Sequence, residues 1–399
     1  MRISTNLQFT QSLNALLARQ AESFKTQLQL SSGQKINQAA DDPVGAGVAV
    51  QLDRARAELE RFSANSNIVA NRLNLAEVAL TSFGDRLLRV RELAVQGFNG
   101  TQNAESRSAI AAEVEQQLEA LFSLANSDDG SGRYLFAGSQ GSAVPFTPGP
   151  GGSVLYGGDQ VQRSIDVSPS LAIADVAPGT EIFLRVPTGN GTFAARPDAT
   201  NAGTLVIGSS GLSGSTPWIP DNYTISFDGA GNYSVQDGTA AVIAAGTYTP
   251  GEAIEFAGAQ LRFSGTPAAG DSFTIEPSPR QDVFATVQGV IDALRQPSAT
   301  PEQRAAQQNA FFASLEDLAL AQDQIIDARS KVGAGLNTLD RTTEERSAQV
   351  LSLSSTLSDI RDVNYAEAAS RLSQQLLMLE AAQASFVKVQ GNSLFNYIR

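Results

Sequence analysis

The sequence predicts an α+β, multi-domain chain: a long antiparallel coiled-coil helical bundle drawn from both chain ends, with an all-β domain inserted between them. Three observations carry this expectation. Residues 137–280 hold 22 of the 34 glycines and 13 of the 16 prolines, so both flanks are nearly free of helix breakers. From Val48 the apolar positions step by four and three without a slip, through Leu52, Phe62, Val69, Leu73 and Leu80 to Ala94, and Ser66 is the one polar member. From Phe311 the same repeat runs through Leu318, Ile325, Val332 and Leu339 to Ile360. A seven-residue repeat sustained this far is a coiled-coil seam. At about 1.5 Å rise per residue each seam runs roughly 70 Å, so the two suit packing on each other.

Taken in order, residues 1–42 read as an N-terminal helix and connector. Leu13, Leu17, Phe24 and Leu28 form an apolar stripe that Ser31-Ser32-Gly33 closes. Residues 43–136 form the first half of the bundle. Asp42 suits the N-cap and Pro43 the first helical position, where a missing N–H leaves nothing unsatisfied. Gly97-Phe98-Asn99-Gly100 ends the long helix, and a shorter one carries Ala111, Val114, Leu118 and Leu121.

Residues 137–280 read as a β-rich domain. Tyr223-Thr224-Ile225-Ser226-Phe227, Leu261-Arg262-Phe263 and Phe273-Thr274-Ile275 alternate with period two, the pattern of half-buried strands. Asp228-Gly229-Ala230-Gly231-Asn232 reads as a hairpin turn. Residues 281–361 return to helix, first with Val283, Val287, Val290 and Leu294, then with the second seam. Between Ile360 and Tyr365 the phase jumps, so residues 362–399 form a separate C-terminal helix with Leu372, Leu376, Leu379 and Phe386 on its stripe. These two terminal stripes are candidate inter-subunit surfaces; the alternative is that they pair with each other.

The composition excludes much chemistry. The chain has no histidine and no cysteine, so imidazole bases, thiolate metal sites and disulfides are absent. A net charge of −13 without a basic patch argues against a nucleic-acid partner. No apolar run is long enough to cross a membrane. The start Met1-Arg2-Ile3-Ser4-Thr5-Asn6 lacks the apolar stretch of a cleaved signal, which leaves a cytoplasmic chain or export by a route that reads no such signal. Asp41-Asp42 and Asp128-Asp129 read as a cap and a turn. Gly45-Ala46-Gly47 lacks the strand and the lysine of a phosphate loop, and Gly151-Gly152 lacks the aspartates of a calcium repeat. No catalytic, cofactor or metal residue is expected, and the chain reads as a structural protein.

The residues Leu30-Ser31-Ser32-Gly33-Gln34-Lys35-Ile36-Asn37 with Ala40-Asp41-Asp42-Pro43 resemble the N-terminal signature of flagellin-type proteins, as do Arg89-Val90-Arg91-Glu92-Leu93-Ala94-Val95-Gln96. The segment Ile360 to Ala366 resembles the family's acidic-tyrosine-alanine stretch, with Asn364 where aspartate is usual. The likeness covers about residues 1–139 and 281–399. Three features are similar to the hook-associated branch rather than the filament protein: the opening Met1-Arg2-Ile3-Ser4-Thr5, the stretch Arg133-Tyr134-Leu135-Phe136-Ala137-Gly138-Ser139, and the ending Leu394-Phe395-Asn396-Tyr397-Ile398-Arg399.

The resemblance implies a ring of identical subunits joining hook to filament, between the preceding hook-associated protein and flagellin. It further implies an extracellular place in the bacterial flagellum, type III export without a cleaved signal, and an export chaperone on the C-terminal helix. A minor flagellin of the filament is the alternative, and an unrelated coiled-coil surface protein is a more distant one.

Overall fold

The computed structural model describes residues 2–391 apart from 101, 150–152 and 215. The ending at 394–399 and the glycine pair at 151–152 therefore lie outside the described residues. Six α-helices are present among them: α1 (Arg2–Ser32), α2 (Pro43–Gly97), α3 (Ala104–Ala125), α4 (Val283–Arg295), α5 (Pro301–Arg361) and α6 (Tyr365–Gly391). Every strand lies between α3 and α4. The chain forms two compact units that divide within α2 and α5: one holds the residues up to Ala64 and from Arg341 onward, the other Asn65–Asp340.

In the larger unit α2 and α5 run antiparallel, and four contacts mark the register. A Cβ added to Gly335 would stand 3.3 Å from Leu73, and one added to Gly84 would stand 3.7 Å from Ile325. Arg329 pairs with Glu77 at 2.7 Å, and Phe98 stacks on Phe311 with centroids 3.8 Å apart. From Phe62 to Ala94 every seam position of α2 is buried. On α5 every seam position is buried or half-buried. Val48, at the start of the α2 seam, is exposed, and Leu52, Ala55 and Leu59 are half-covered.

Helices α3 and α4 start from side-chain caps. Asn103 accepts the amide of Ser106 at 2.8 Å, and Asp282 accepts that of Ala285 at 2.6 Å. They complete the bundle through Phe122 stacked on Phe284.

The insert divides in a way that its glycine and proline content did not show. The short strands β1 (Phe146–Pro148), β2 (Val154–Tyr156), β3 (Ser164–Ser168) and β4 (Leu171–Ala174) send Phe146, Val167 and Ile173 into the helical core. Phe183 joins them against Phe83 at 4.7 Å. A two-residue ribbon of β5 (Val186–Pro187) with β14 (Arg280–Gln281) then leads out of this core and back.

Beyond the ribbon lies a separate β domain. It is built from β6 (Phe193–Pro197), β7 (Val206–Leu212), β8 (Tyr223–Asp228), β9 (Asn232–Gln236), β10 (Val242–Thr247), β11 (Ala253–Phe256), β12 (Ala259–Ser264) and β13 (Ala269–Pro277). They form a five-stranded antiparallel sheet, ordered β10-β9-β8-β13-β6, and a three-stranded sheet, ordered β11-β12-β7. The expected alternation holds: Tyr223, Ile225 and Phe227 are buried on β8, and Ala259, Leu261 and Phe263 on β12. The Asp228–Asn232 turn closes as expected, with the Asp228 carboxylate accepting the amides of Ala230 and Asn232 at 2.8 and 3.0 Å. The core of this domain, from Phe193 to Ile275, shares no residue with the helical core.

A buried ion network sits where the sequence suggested only a turn. Asp128 caps its turn by accepting the Gly130 amide at 2.7 Å, as expected. Asp129 does more. Its carboxylate takes the Arg72 guanidinium at 2.6 Å, and Asp175 takes the same group at 3.0 Å while also pairing with Arg163. Arg72 is 5% exposed and Asp175 4%. Burial alone raises a carboxyl, but hydrogen bonds from Ser131 and Arg72 outweigh it and hold Asp129 at about 2.

Two outcomes follow. A chain in which a short glycine linker joins Thr188 directly to Ser278 keeps its helical circular dichroism, because the excised core is separate. Cooperative loss of the helical signal in that chain would show that the two cores depend on each other. Replacing Arg72 by alanine takes the guanidinium from two carboxylates, leaving Asp175 to Arg163 and Asp129 to Ser131, and lowers unfolding stability by about 3 kcal/mol in urea titrations. Asp129 is depressed when folded, so its contribution of about 2 kcal/mol is present above pH 4 and is lost as pH falls from 4 through 2. The Arg72 variant loses the guanidinium's part of that acid-dependent step while the Ser131 bonds keep the rest; a wild-type pH profile in the variant would remove Arg72 from the account.

Candidate assembly surface

The smaller unit is built around an antiparallel pair of α1 and α6. The turn that leads out of α1 is pinned to the α5–α6 junction. Lys35 N–H donates to Arg361 O at 2.7 Å and Val363 N–H to Gly33 O at 3.0 Å. Gly33 sits at φ +74°, and a Cβ there would stand 2.9 Å from the Tyr365 hydroxyl, so this crossing accepts glycine and little else.

Asp41 organises the rest of the connector. Its carboxylate accepts the amides of Asn37 and Gln38 at 3.0 Å each and pairs with Lys25 at 2.8 Å. The Lys25 bond, then the two amides, hold its carboxyl below the usual range. Asp42 accepts the Gly45 amide at 2.9 Å as the cap of α2, and Arg361 reaches Asp53 at 2.9 Å. In the Leu30–Pro43 signature Asn37, Asp41 and Asp42 thus find their partners locally.

The helix pair is polar inside. On α1 the buried positions are Ser23, Thr26 and Gln29. Each satisfies itself close to home: Ser23 donates to Gln20 O, Thr26 to Glu22 O and Gln29 to Lys35 O. On α6 the inner seam steps by four and three through Ala368, Leu372, Gln375, Leu379, Ala382 and Phe386, all buried or half-buried. At the far end Phe9 and Phe386 meet with centroids 5.4 Å apart.

The large apolar residues of α1 face the other way. Leu13, Leu17, Phe24 and Leu28 are all exposed, Leu17 at 52% and Phe24 at 68%. Leu7 shares that exposure, as do Leu376, Leu377, Met378 and Val387 on α6.

The eight stripe residues therefore do not form one surface. The four on α1 and Leu376 point outward, whereas Leu372, Leu379 and Phe386 are half-covered within the subunit, Phe386 against Phe9. Grouping Leu376 with Leu379 and Phe386 on one open face is corrected by this geometry. Residue 376 lies a turn away from the seam that 372, 379 and 386 share at seven-residue spacing. Leu377, Met378 and Val387 escaped the sequence reading because they flank an apolar seam instead of repeating with it.

No group of three histidine, cysteine, aspartate or glutamate side chains is placed to hold a metal among the described residues. No helix among them is long and apolar enough to cross a membrane.

Comparison with known proteins agrees with this architecture. The pattern of the bacterial flagellin N-terminal helical region matches residues 3–141, and that of the C-terminal helical region matches residues 316–398. Flagellar hook-associated protein 3 of Escherichia coli strain K12 is 24% identical over 399 residues, 99% of each chain. Its namesake in Salmonella typhimurium is 32% identical over 184 residues, 46% of this chain and 57% of that protein's length. The crystal structure of Xanthomonas campestris FlgL is 42% identical with a TM-score of 0.73, covering 77% of this chain and 99% of that one. The flagellar junction protein FlgL of Legionella pneumophila is 31% identical with a TM-score of 0.71, covering 79% and 100%. On the two flagellin-region matches and the 42% identity that spans 99% of the Xanthomonas chain, the chain belongs to the flagellin-type family of flagellar hook-associated protein 3, FlgL.

Proposed function

We propose that the chain is a structural subunit of the bacterial flagellum, placed at the junction of hook and filament, and that it self-assembles into a ring through the outward faces of α1 and α6. The observation that carries this reading is the inverted helix pair. Soluble helices bury their apolar stripe and solvate their polar one; here Ser23, Thr26 and Gln29 are inside while Leu17 and Phe24 are outside. Such a surface is stable once neighbouring subunits cover it, and each covered leucine or phenylalanine is worth roughly 1.5–3 kcal/mol. The occupant is a second copy of the chain, because a helix pair repeated around a ring presents the same stripe to every neighbour.

The preceding hook-associated protein and flagellin would meet the two sides of that ring. Export through the flagellar apparatus, with a chaperone covering α6 beforehand, accounts for an apolar face that stays soluble before assembly. The role is mechanical and not catalytic. A minor flagellin is the second reading, and the two flagellin-region matches are common to both without favouring it. Electron microscopy with an antibody against the β domain separates them: label confined to the hook–filament boundary supports the junction, and label along the filament supports the flagellin.

The decisive variant is Leu17→Asp with Phe24→Asp. Both positions are exposed in the lone subunit, so its helical signal and melting temperature stay near wild type. Assembly is blocked, and cells make hooks, leak flagellin into the medium and carry no filaments. Secretion of the variant is measured alongside; an exported variant that supports filaments of normal length and number removes this stripe from assembly. Phe386→Asp acts differently, since it breaks the contact with Phe9 and loosens the helix pair in the monomer itself.

Mild proteolysis of the lone subunit trims residues 1–40 and 362–399 and leaves a resistant 43–361 core, because the terminal pair buries few large side chains. Termini as resistant as the core would mean that the pair is as stable as the bundle.

A further inference from the structure

The β domain is joined to the helical body through polar groups. Its core and the helical core have no residue in common. Two chain passes connect them, the β5–β14 ribbon and the Thr188–Ser278 pair, where the Ser278 hydroxyl donates to Thr188 O at 2.8 Å and accepts the Thr188 amide at 2.9 Å. Directly beyond stand Gly189 and Gly191, both at positive φ, +66° and +85°. A Cβ on Gly189 would come within 2.4 Å of Phe193 O, so the pivot is specific to glycine.

From α5 three side chains, at Asn309, Glu316 and Asp317, reach across to the backbone and side chains of the β domain. Asn309 donates to Leu205 O at 2.9 Å and accepts the Ile207 amide at 2.8 Å. Glu316 accepts the Ser210 hydroxyl at 2.9 Å. Asp317 accepts the Gly189 amide and the Arg196 guanidinium, each at 2.7 Å.

Beside these contacts lies an open cleft of about 630 Å³. Its β wall carries Asp198, Asp271 and Arg196, and its helical wall Asp292, Glu302 and Asp317. Carboxylates thus line both walls, although Asp271 is buried and held by the amides of Ala202, Gly203 and Ala268. Like charges on both walls favour separation, and the hydrogen bonds from α5 oppose it.

We propose that Asn309, Glu316 and Asp317 form a releasable clasp that sets the angle of the β domain on α5, with the Thr188–Gly191 and Pro277–Pro279 segments as its hinge. The clasp lets one subunit type hold its outer domain at more than one angle while its helices keep a single packing. Burial pushes the carboxyls of Asp317 and Glu316 up, against the Arg196, Gly189 and Ser210 contacts that lower them. A group raised in the docked state contributes most at low pH and less as pH rises through its docked value, so docking tightens on acidification.

The test uses the full chain, which has no native cysteine. Spin labels at Gln116→Cys on α3 and Ala241→Cys beside β10, both exposed, report the inter-domain distance by pulsed electron resonance. Wild type is expected to show one sharp distance at pH 7. Asn309→Ala with Asp317→Ala should lose that sharp distance in favour of a broad, displaced distribution, and Asp317→Asn, which keeps an acceptor for Gly189, should lie between.

The single tryptophan, Trp218, packs between Phe193 and Tyr223 at 5.0 and 5.5 Å and serves as the folding control. Unchanged Trp218 emission together with a broadened distance supports the clasp. An unchanged distance in the double variant, or a Trp218 emission that shifts to that of unfolded chain, would overturn it. The first outcome would mean that the ribbon alone sets the angle, and the second that these side chains belong to the fold of the β domain.

Discussion

The antiparallel seam between α2 and α5 is the constraint on which the rest of the molecule depends. Each helix is too long to bury its stripe against local neighbours, so the stripes are satisfied by a partner far away in sequence. Glu77 meets Arg329 and Phe98 meets Phe311 across more than two hundred residues. Loop closure over such a distance costs little more than over a short one, because the entropy grows only with the logarithm of length. An insert of any size can therefore be carried between the two helices, provided its ends return to nearly the same place. The β5–β14 ribbon and the Thr188–Ser278 lock bring them back together.

Around this seam the molecule uses two kinds of attachment. Residues 146–186 are fastened by apolar burial and by the Arg72 network, in which one buried guanidinium holds two carboxylates from separate loops. Breaking such a network leaves an uncompensated charge in the interior, so this attachment is stiff. The β domain beyond residue 188 is fastened by hydrogen bonds at a partly open interface. Those bonds run from Asn309, Glu316 and Asp317 of one helix.

The terminal helices obey a different rule. On α1 the pairing face is polar at Ser23, Thr26 and Gln29, and Leu13, Leu17, Phe24 and Leu28 are left outside, while α6 turns Leu372, Leu379 and Phe386 half inward. In an isolated protein this arrangement would be unfavourable. It becomes favourable when the exposed face is covered.

The helices, their limits and the alternating strands were legible because they follow from local periodicity: a repeat of seven admits one partner geometry, and Tyr223-Thr224-Ile225-Ser226-Phe227 admits one face. The Asp42 cap, the Gly33 crossing and the Asp228–Asn232 turn were legible for the same reason, since their chemistry acts within a few residues. The site was legible as a set of apolar stripe residues but not as a surface. Whether Phe386 faces Phe9 or a neighbour depends on how α6 is rotated against α1, and spacing along one helix does not specify rotation against another. The Arg72 network and the division of the insert at residue 188 were hidden too. Asp129 and Asp175 meet Arg72 only after three separate segments are packed, and Phe146 and Phe193 differ in which core receives them, not in any property of their own. Periodicity alone set what each segment is; long-range packing decided which face is covered and by what.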